Sequence, residues 1–127
     1  MTYVGDLPVV AICKVIILVL IDRRVFITDQ AKDHVKTDHP EVYSEYLAML
    51  PELVTHPAYI GLYDKKEFAL QLATPLSLRG ESILVGVDLH TVVIPQMKNT
   101  VSSFYRLDGP SFRNRTRSDI LRPVPYP

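Results

Sequence analysis

Arg24-Val25-Phe26-Ile27-Thr28-Asp29-Gln30-Ala31-Lys32-Asp33-His34-Val35-Lys36-Thr37-Asp38-His39-Pro40-Glu41 is the stretch in which the periodicity of the chain changes. Its first four residues read as a short strand, being rich in β-branched and aromatic side chains. Thr28 is suited to cap a helix whose first turn, Asp29-Gln30-Ala31, places an acid at the positive end of the helix dipole. That helix should end near Asp38, because the residue before Pro40 is biased away from helical angles. Pro40 and Glu41 then open a second helix, proline being tolerated at the first helical position. Along it Val42, Tyr46, Leu50 and Leu53 or Val54 recur at helical spacing, Tyr43, Leu47 and Met49 widen the stripe, and Pro51 kinks or restarts it.

Working outward, Val9 to Ile21 reads as strand material broken near Cys13 and Lys14. His56-Pro57 closes the helical half. Extended segments follow: Tyr59 to Leu62, a loosely alternating Phe68 to Leu72, a firm strand from Ser82 to Leu89, then Val92 to Ile94 and Val101 to Tyr105. The expected order is helices first, sheet second. Asp108-Gly109-Pro110 signals a turn, after which come Arg113, Arg115 and Arg117 and a proline-rich end. One domain over 1–121 with an extended or loosely docked tail over 122–127 is the expected organisation.

At 127 residues with 47% apolar and 22% charged side chains, the chain can bury a core, which excludes disorder as its dominant state. Fourteen basic residues balance fourteen acidic ones, but Met1 to Asp64 holds five basic against nine acidic, and Lys65 to Pro127 nine against five. The zero net charge is thus the sum of fields of −4 and +4. A lone cysteine, Cys13, excludes an internal disulfide and a Cys-rich zinc site, and fits a reducing compartment. The apolar run Leu7 to Ile21 has about fifteen residues with Lys14 in its middle, short of the roughly 18 to 20 that a spanning helix needs. No basic segment precedes it and no small-residue cleavage site follows, so neither an anchor nor an export signal is expected and the site of action reads as cytoplasmic.

His34 and Asp38 stand four apart, on one face of a continuous helix, where the carboxylate can orient or charge the imidazole as a general base requires. The plain alternative is an exposed histidine beside a helix-terminal acid. Asp33, His34, Asp38 and His39 offer metal ligands, but without the two histidines four apart and the glutamate of the zinc-protease motif. Neither a metal nor a cofactor is expected. His56 and His90 read as turn or surface residues. Further on, Asn99-Thr100-Val101-Ser102-Ser103-Phe104-Tyr105 alternates hydroxyls along a strand, placing Thr100 and Ser102 on one face and Ser103 and Tyr105 on the other. Beside cations these form a phosphate cradle; the competing reading is an ordinary edge strand with solvated hydroxyls. The basic residues Lys98, Arg106, Arg113, Arg115, Arg117 and Arg122 suit phosphates, an acidic protein, or solvent alone. No Gly-x-Ser-x-Gly elbow, P-loop or Gly-rich dinucleotide fingerprint is present.

The segment Ile27 to Glu41, followed by Tyr46 to Gly61 with its Pro57-Ala58-Tyr59-Ile60-Gly61 turn, resembles the phage-associated members of the barnase, EndoU, colicin and RelE-like nuclease group, the PBECR domains. The strand Asn99 to Tyr105 and the basic segment through Arg117 are similar to that family's closing strand and tail, so the resemblance runs from about Val9 to Leu121. It implies an α+β domain with N-terminal helices packed on a twisted antiparallel sheet. It also implies a metal-independent ribonuclease of the tRNA-cleaving toxin type, opposed by an acidic immunity protein. Carried onto this chain, His34 is the general base or acid and His39 a second candidate with structural capping as its rival. Lys66 or Lys98 would stabilise the phosphorane, Thr100 and Ser102 would hold phosphate oxygens, and Arg106, Arg113, Arg115 and Arg117 would bind the RNA backbone. Lys65-Lys66-Glu67-Phe68 matches the family's lysine position only approximately. A second hypothesis follows from that departure: a non-catalytic module that binds nucleic acid or a protein partner through its basic half.

Overall fold

A computed structural model describes residues 1–17, 20–63, 68–76, 80–90 and 98–126. In chain order the elements are β1 (Thr2–Asp6), α1 (Val9–Cys13), β2 (Arg24–Ile27), α2 (Asp29–Asp38) and α3 (Pro40–Tyr46). A 3-10 turn (Leu47–Met49) leads into α4 (Leu50–Thr55), then β3 (Tyr59–Leu62), β4 (Ala69–Pro75), β5 (Ser82–Asp88), β6 (Asn99–Leu107), α5 (Gly109–Arg117) and β7 (Arg122–Pro123). The strands form one sheet in the order β1-β2-β6-β5-β4-β3-β7, antiparallel at every junction except β2–β6. The fold class is α+β, as expected.

Both faces of the central strands are covered, so Ala69 to Ala73 and Ser82 to Val85 are buried without a break instead of alternating. On one face Val25, Ile60, Leu72, Val85 and Phe104 pack against Val35, Val42, Tyr46, Leu50, Leu53 and Val54 of α2 to α4. From Val42 to Val54 those helical residues are the stripe read from the sequence, whereas Met49, expected to widen it, is exposed, and Pro51 lies in the first turn of the restarted helix. On the other face Ala73, Leu84 and Leu121 meet Tyr59, Tyr105 and Phe112, the last contributed by α5.

Three expectations are corrected. The described residues between Val9 and Ile21 form no strand: the first strand lies earlier, and Val9–Cys13 is a short helix beginning after Pro8. Burying both Leu7 and Ile12 under the sheet outweighs the strand preference of Val9 and Val10, which is worth at most about 1 kcal/mol. The helices do not come first, because β1 precedes α1, β2 precedes α2 to α4, and α5 follows β6. The tail is firmly docked: β7 pairs with β3, the Val124 N–H donates to the Ala58 carbonyl at 2.9 Å, and Val124 joins the core. Tyr126 stacks on His56 at 4.3 Å and donates its hydroxyl to the Pro57 carbonyl, and burial pushes its phenol pKa up. Val92 to Ile94 lies outside the described residues. Among the described residues no helix is long and apolar enough to cross a membrane.

The parallel β2–β6 junction spans only Val25↔Asn99 and Phe26↔Thr100. Asn99, fully buried, reinforces it: its amide NH2 donates to the carbonyls of Asp22 and Arg24, and its Oδ1 accepts from the His90 N–H at 2.7 Å. At the entrance to β2, Arg24 grips the Asp22 carboxylate through Nε and Nη2 at 2.8–3.2 Å while its own backbone N–H donates to Oδ1.

Asn99→Ala leaves one buried donor and two carbonyls without partners, so a loss of roughly 2–4 kcal/mol in urea unfolding is expected. The Arg24 guanidinium, followed by its backbone N–H, lowers the Asp22 pKa from 3.8 to about 2. The folded-state value is the lower one, so the pair's contribution is complete above about pH 4 and is lost as pH falls toward 2. Asp22→Asn should therefore flatten that part of the acid-stability curve relative to the parent chain.

Candidate functional site

The segment singled out by its change of period folds as its residues dictate. Thr28 Oγ1 accepts from the Ala31 N–H at 3.0 Å, capping α2, and Asp29 occupies the first turn. Val35 is fully buried and fixes the rotation of the helix, which leaves His34 exposed beside it. His34 Nδ1 and Asp38 Oδ2 stand 3.2 Å apart across one turn, with the side chains 55% and 49% exposed.

The hydroxyl strand, β6, lies between β2 and β5, but β2 pairs only with Asn99 and Thr100, so from Val101 onward β6 is joined to β5 alone. Its register with β5 slips at one point: Gly86 pairs with Ser103 while Val87 pairs with Val101, leaving Ser102 as an extra residue in a bulge. An inserted residue resets strict alternation. Thr100, Ser103 and Tyr105 therefore pair with Asp88, Gly86 and Leu84, all on the α5 side of the sheet, instead of dividing between two faces as expected.

This geometry brings three of the residues picked from the sequence together. His34, Thr100 and Ser102 line one open cavity of about 310 Å³ with Thr28, Gln30 and Asp88. Asp88 and Gln30 are the residues that sequence reasoning missed. Asp88 is the penultimate residue of the strand expected from Ser82 to Leu89 and the last of β5, and only the sheet register shows that it lies across from Thr100. In chemical terms the cavity combines an imidazole with a carboxylate one helical turn away, two hydroxyls and a second carboxylate. Such a set can move a proton and bind an oxyanion by hydrogen bonds. A larger hollow of about 500 Å³ is bounded by Val15, Ile16, Ile60, Leu62 and Ile120, and among the described residues lining it only Asp119 and Arg122 are charged and none is a histidine.

The remaining candidates lie elsewhere. His39 stacks on Tyr105, with ring centroids 5.7 Å apart, and its side chain makes no capping bond to α3. It lines a separate cavity with Asp38, Glu41 and Arg106. Lys66 lies outside the described residues. Lys98 Nζ sits 4.6 Å over the Phe26 ring, and Phe26 is in register with Thr100.

The arginines are divided by the sheet. Arg106 reaches Glu45 at 3.3 Å and Glu81 at 3.6 Å on the side of α3, with the Tyr46 hydroxyl as a further acceptor. Arg115 donates from α5 to the buried Gln71 Oε1 at 3.1 Å, while Arg113 and Arg117 are exposed. The α5 helix that carries them was not foreseen, although Asp108 caps it by accepting from the Ser111 N–H at 2.7 Å. That backbone bond also holds the Asp108 carboxyl below its ordinary pKa.

Thr28→Ala removes the cap of the helix that carries His34, and a loss of about 1 kcal/mol in thermal or urea unfolding is expected. Comparison with known proteins adds no guide to the chemistry: no family, no curated protein and no solved structure matches the chain.

Proposed function

We propose that the chain is a metal-independent endoribonuclease domain acting in the cytoplasm on RNA of the tRNA class, with His34 as its proton carrier. The observation that carries this reading is the meeting of the His34–Asp38 pair with Thr100 and Ser102 in one open cavity. With the Asp38 carboxylate beside Nδ1, Nε2 serves as the basic nitrogen of a neutral imidazole. It takes the proton of an RNA 2′-hydroxyl, whose oxygen attacks the adjacent phosphorus as the bond from phosphorus to the 5′-oxygen breaks. Asp38 balances the imidazolium so formed, and solvent in the open cavity protonates the leaving oxygen. The hydroxyls of Thr100 and Ser102 donate to the phosphoryl oxygens, and Lys98 meets the flanking phosphate. The exposed Arg113 and Arg117 suit either the RNA backbone or an acidic immunity protein competing for the same charge.

A second reading, a non-catalytic module binding nucleic acid or protein, is favoured by one specific fact. The described lining of the His34 cavity includes no lysine or arginine, so hydroxyls and the imidazole alone would meet phosphoryl charge there.

Incubation of the pure chain with total tRNA and a chelator, followed by mapping of the product ends, separates the two. The expected product carries a 2′,3′-cyclic phosphate. His34→Ala should lower the rate by about 10²–10⁴ with the melting transition retained. Unchanged cleavage by that variant removes His34 from the mechanism, and tRNA binding without cleavage supports the module.

A further inference from the structure

The hollow of about 500 Å³ lies at the opposite end of the sheet from β1 and β2. It opens where β3 outruns its neighbour: β7 pairs only with Tyr59 and Ile60, leaving Gly61 and Leu62 without a strand on that side. The connection from α5 to β7 closes in on them. A Cβ on Gly61 would stand 1.9 Å from the Ile120 carbonyl oxygen, so only glycine admits this approach. The Ile120 and Leu121 N–H groups both donate to the Arg115 carbonyl, at 2.9 and 3.0 Å, which pins the connection to the end of α5.

The walls of the hollow are aliphatic, and so is its mouth: Ile17 is fully exposed, Leu62 44% and Ile120 37%. Aliphatic surface gathered in one place marks a contact site, where single scattered residues would not. The patch holds both a recess and, in Ile17, a projecting side chain of the chemistry that fits it. Its two charges have opposite signs. Asp119 and Arg122 are exposed, and among the described residues neither enters an ion pair; Arg122 Nη1 makes a long bond of 3.4 Å to the Val15 carbonyl. Asp119 is also out of place in its own chain. It follows the C-cap of α5 with φ at 59°, where glycine is the usual residue, and its carboxylate stands at the negative end of the helix dipole. A cation brought from outside offsets that repulsion.

We propose that this patch is a twofold interface between two copies of the chain, in which Ile17 of each copy enters the other's hollow and Asp119 pairs with the partner's Arg122. Twofold contact requires a patch that complements itself, and this one carries projection with recess and anion with cation. An anionic bilayer favours cations alone beside aliphatic side chains, and Asp119 opposes it. An aliphatic centre flanked by exposed charges also matches the apolar core and polar rim of homodimer interfaces. None of these residues lines the His34 cavity, so two copies pair whether or not the chain cleaves RNA.

The test is sedimentation of the full chain over a range of concentrations under reducing conditions, which should show a species of twice the 14.4 kDa of one chain. Ile17→Asp, an exchange at a fully exposed position that leaves the core intact, should weaken pairing by about tenfold or more. Asp119→Arg and Arg122→Asp each set like charges against one another and should weaken it at least as much. Mixed in equal amounts, the two charge variants should recover the dimer, because in the mixed pair both ion pairs are restored. A parent chain that stays monomeric at every concentration, a dimer indifferent to Ile17→Asp, or a mixture of folded variants that fails to recover overturns the proposal. Should Arg122→Asp release β7 and fail to fold by circular dichroism, Ile17→Asp and Asp119→Arg decide alone: a dimer that neither weakens is built on another surface.

Discussion

The structure depends on a junction only two residue pairs long. β2 and β6 run parallel through Val25↔Asn99 and Phe26↔Thr100, and everything N-terminal to α2 joins the rest of the sheet there. So short a ladder is a weak tether, because few main-chain bonds cross it. The buried Asn99 amide supplies what is missing by bonding the Asp22–Arg24 entrance of β2 and His90, two stretches far apart in sequence. Desolvating an amide without partners costs about as much as several such bonds return, so the network holds as a unit. Since Thr100 follows Asn99 directly and Thr28 follows β2, the same amide also fixes the relation between the cavity's hydroxyl strand and the helix that carries His34.

The second constraint is the bulge at Ser102. An antiparallel pair without it would send Ser103 and Tyr105 to the face opposite Thr100. With one residue inserted, Thr100, Ser103 and Tyr105 share a face, and Ser102 lines the His34 cavity. Bulges often aim side chains at functional positions, and here one residue turns an alternating strand into a polar wall. The charges are arranged less simply than their totals. Arg106 is paired with acids on the α3 side, Arg115 is committed to Gln71 on the α5 side, and Arg113 and Arg117 stand in solvent. The basic half of the sequence is therefore spread over both faces of the sheet.

Much of the helical region was legible because its signals are local. The Thr28 cap, the end before Pro40, the restart at Pro51 and the buried stripe through Val42, Tyr46, Leu50 and Val54 each depend on neighbours within a turn or two. The spacing that joins His34 to Asp38 is of the same kind. Less legible were α5, whose sequence has few apolar residues and shows itself only through its Asp108 cap and Pro110, and α1, whose β-branched residues favour a strand until Leu7 and Ile12 must both be buried. The tail appeared loose because three prolines exclude a helix. An edge strand tolerates proline, however, and Pro123 pairs with Tyr59 at one.

What the sequence determined by itself was therefore the contents of the cavity's two halves: a helix presenting an imidazole with its carboxylate, and a strand rich in hydroxyls. Which of those hydroxyls face the imidazole, that Asp88 joins them, and that Gln71 is held by Arg115 were decided only by the tertiary structure. The physical reason is that a helix carries its hydrogen bonds within itself and sets its own geometry from a single stretch of chain. A strand's faces and neighbours are set by register with other strands, and here one inserted residue and one buried amide decide that register.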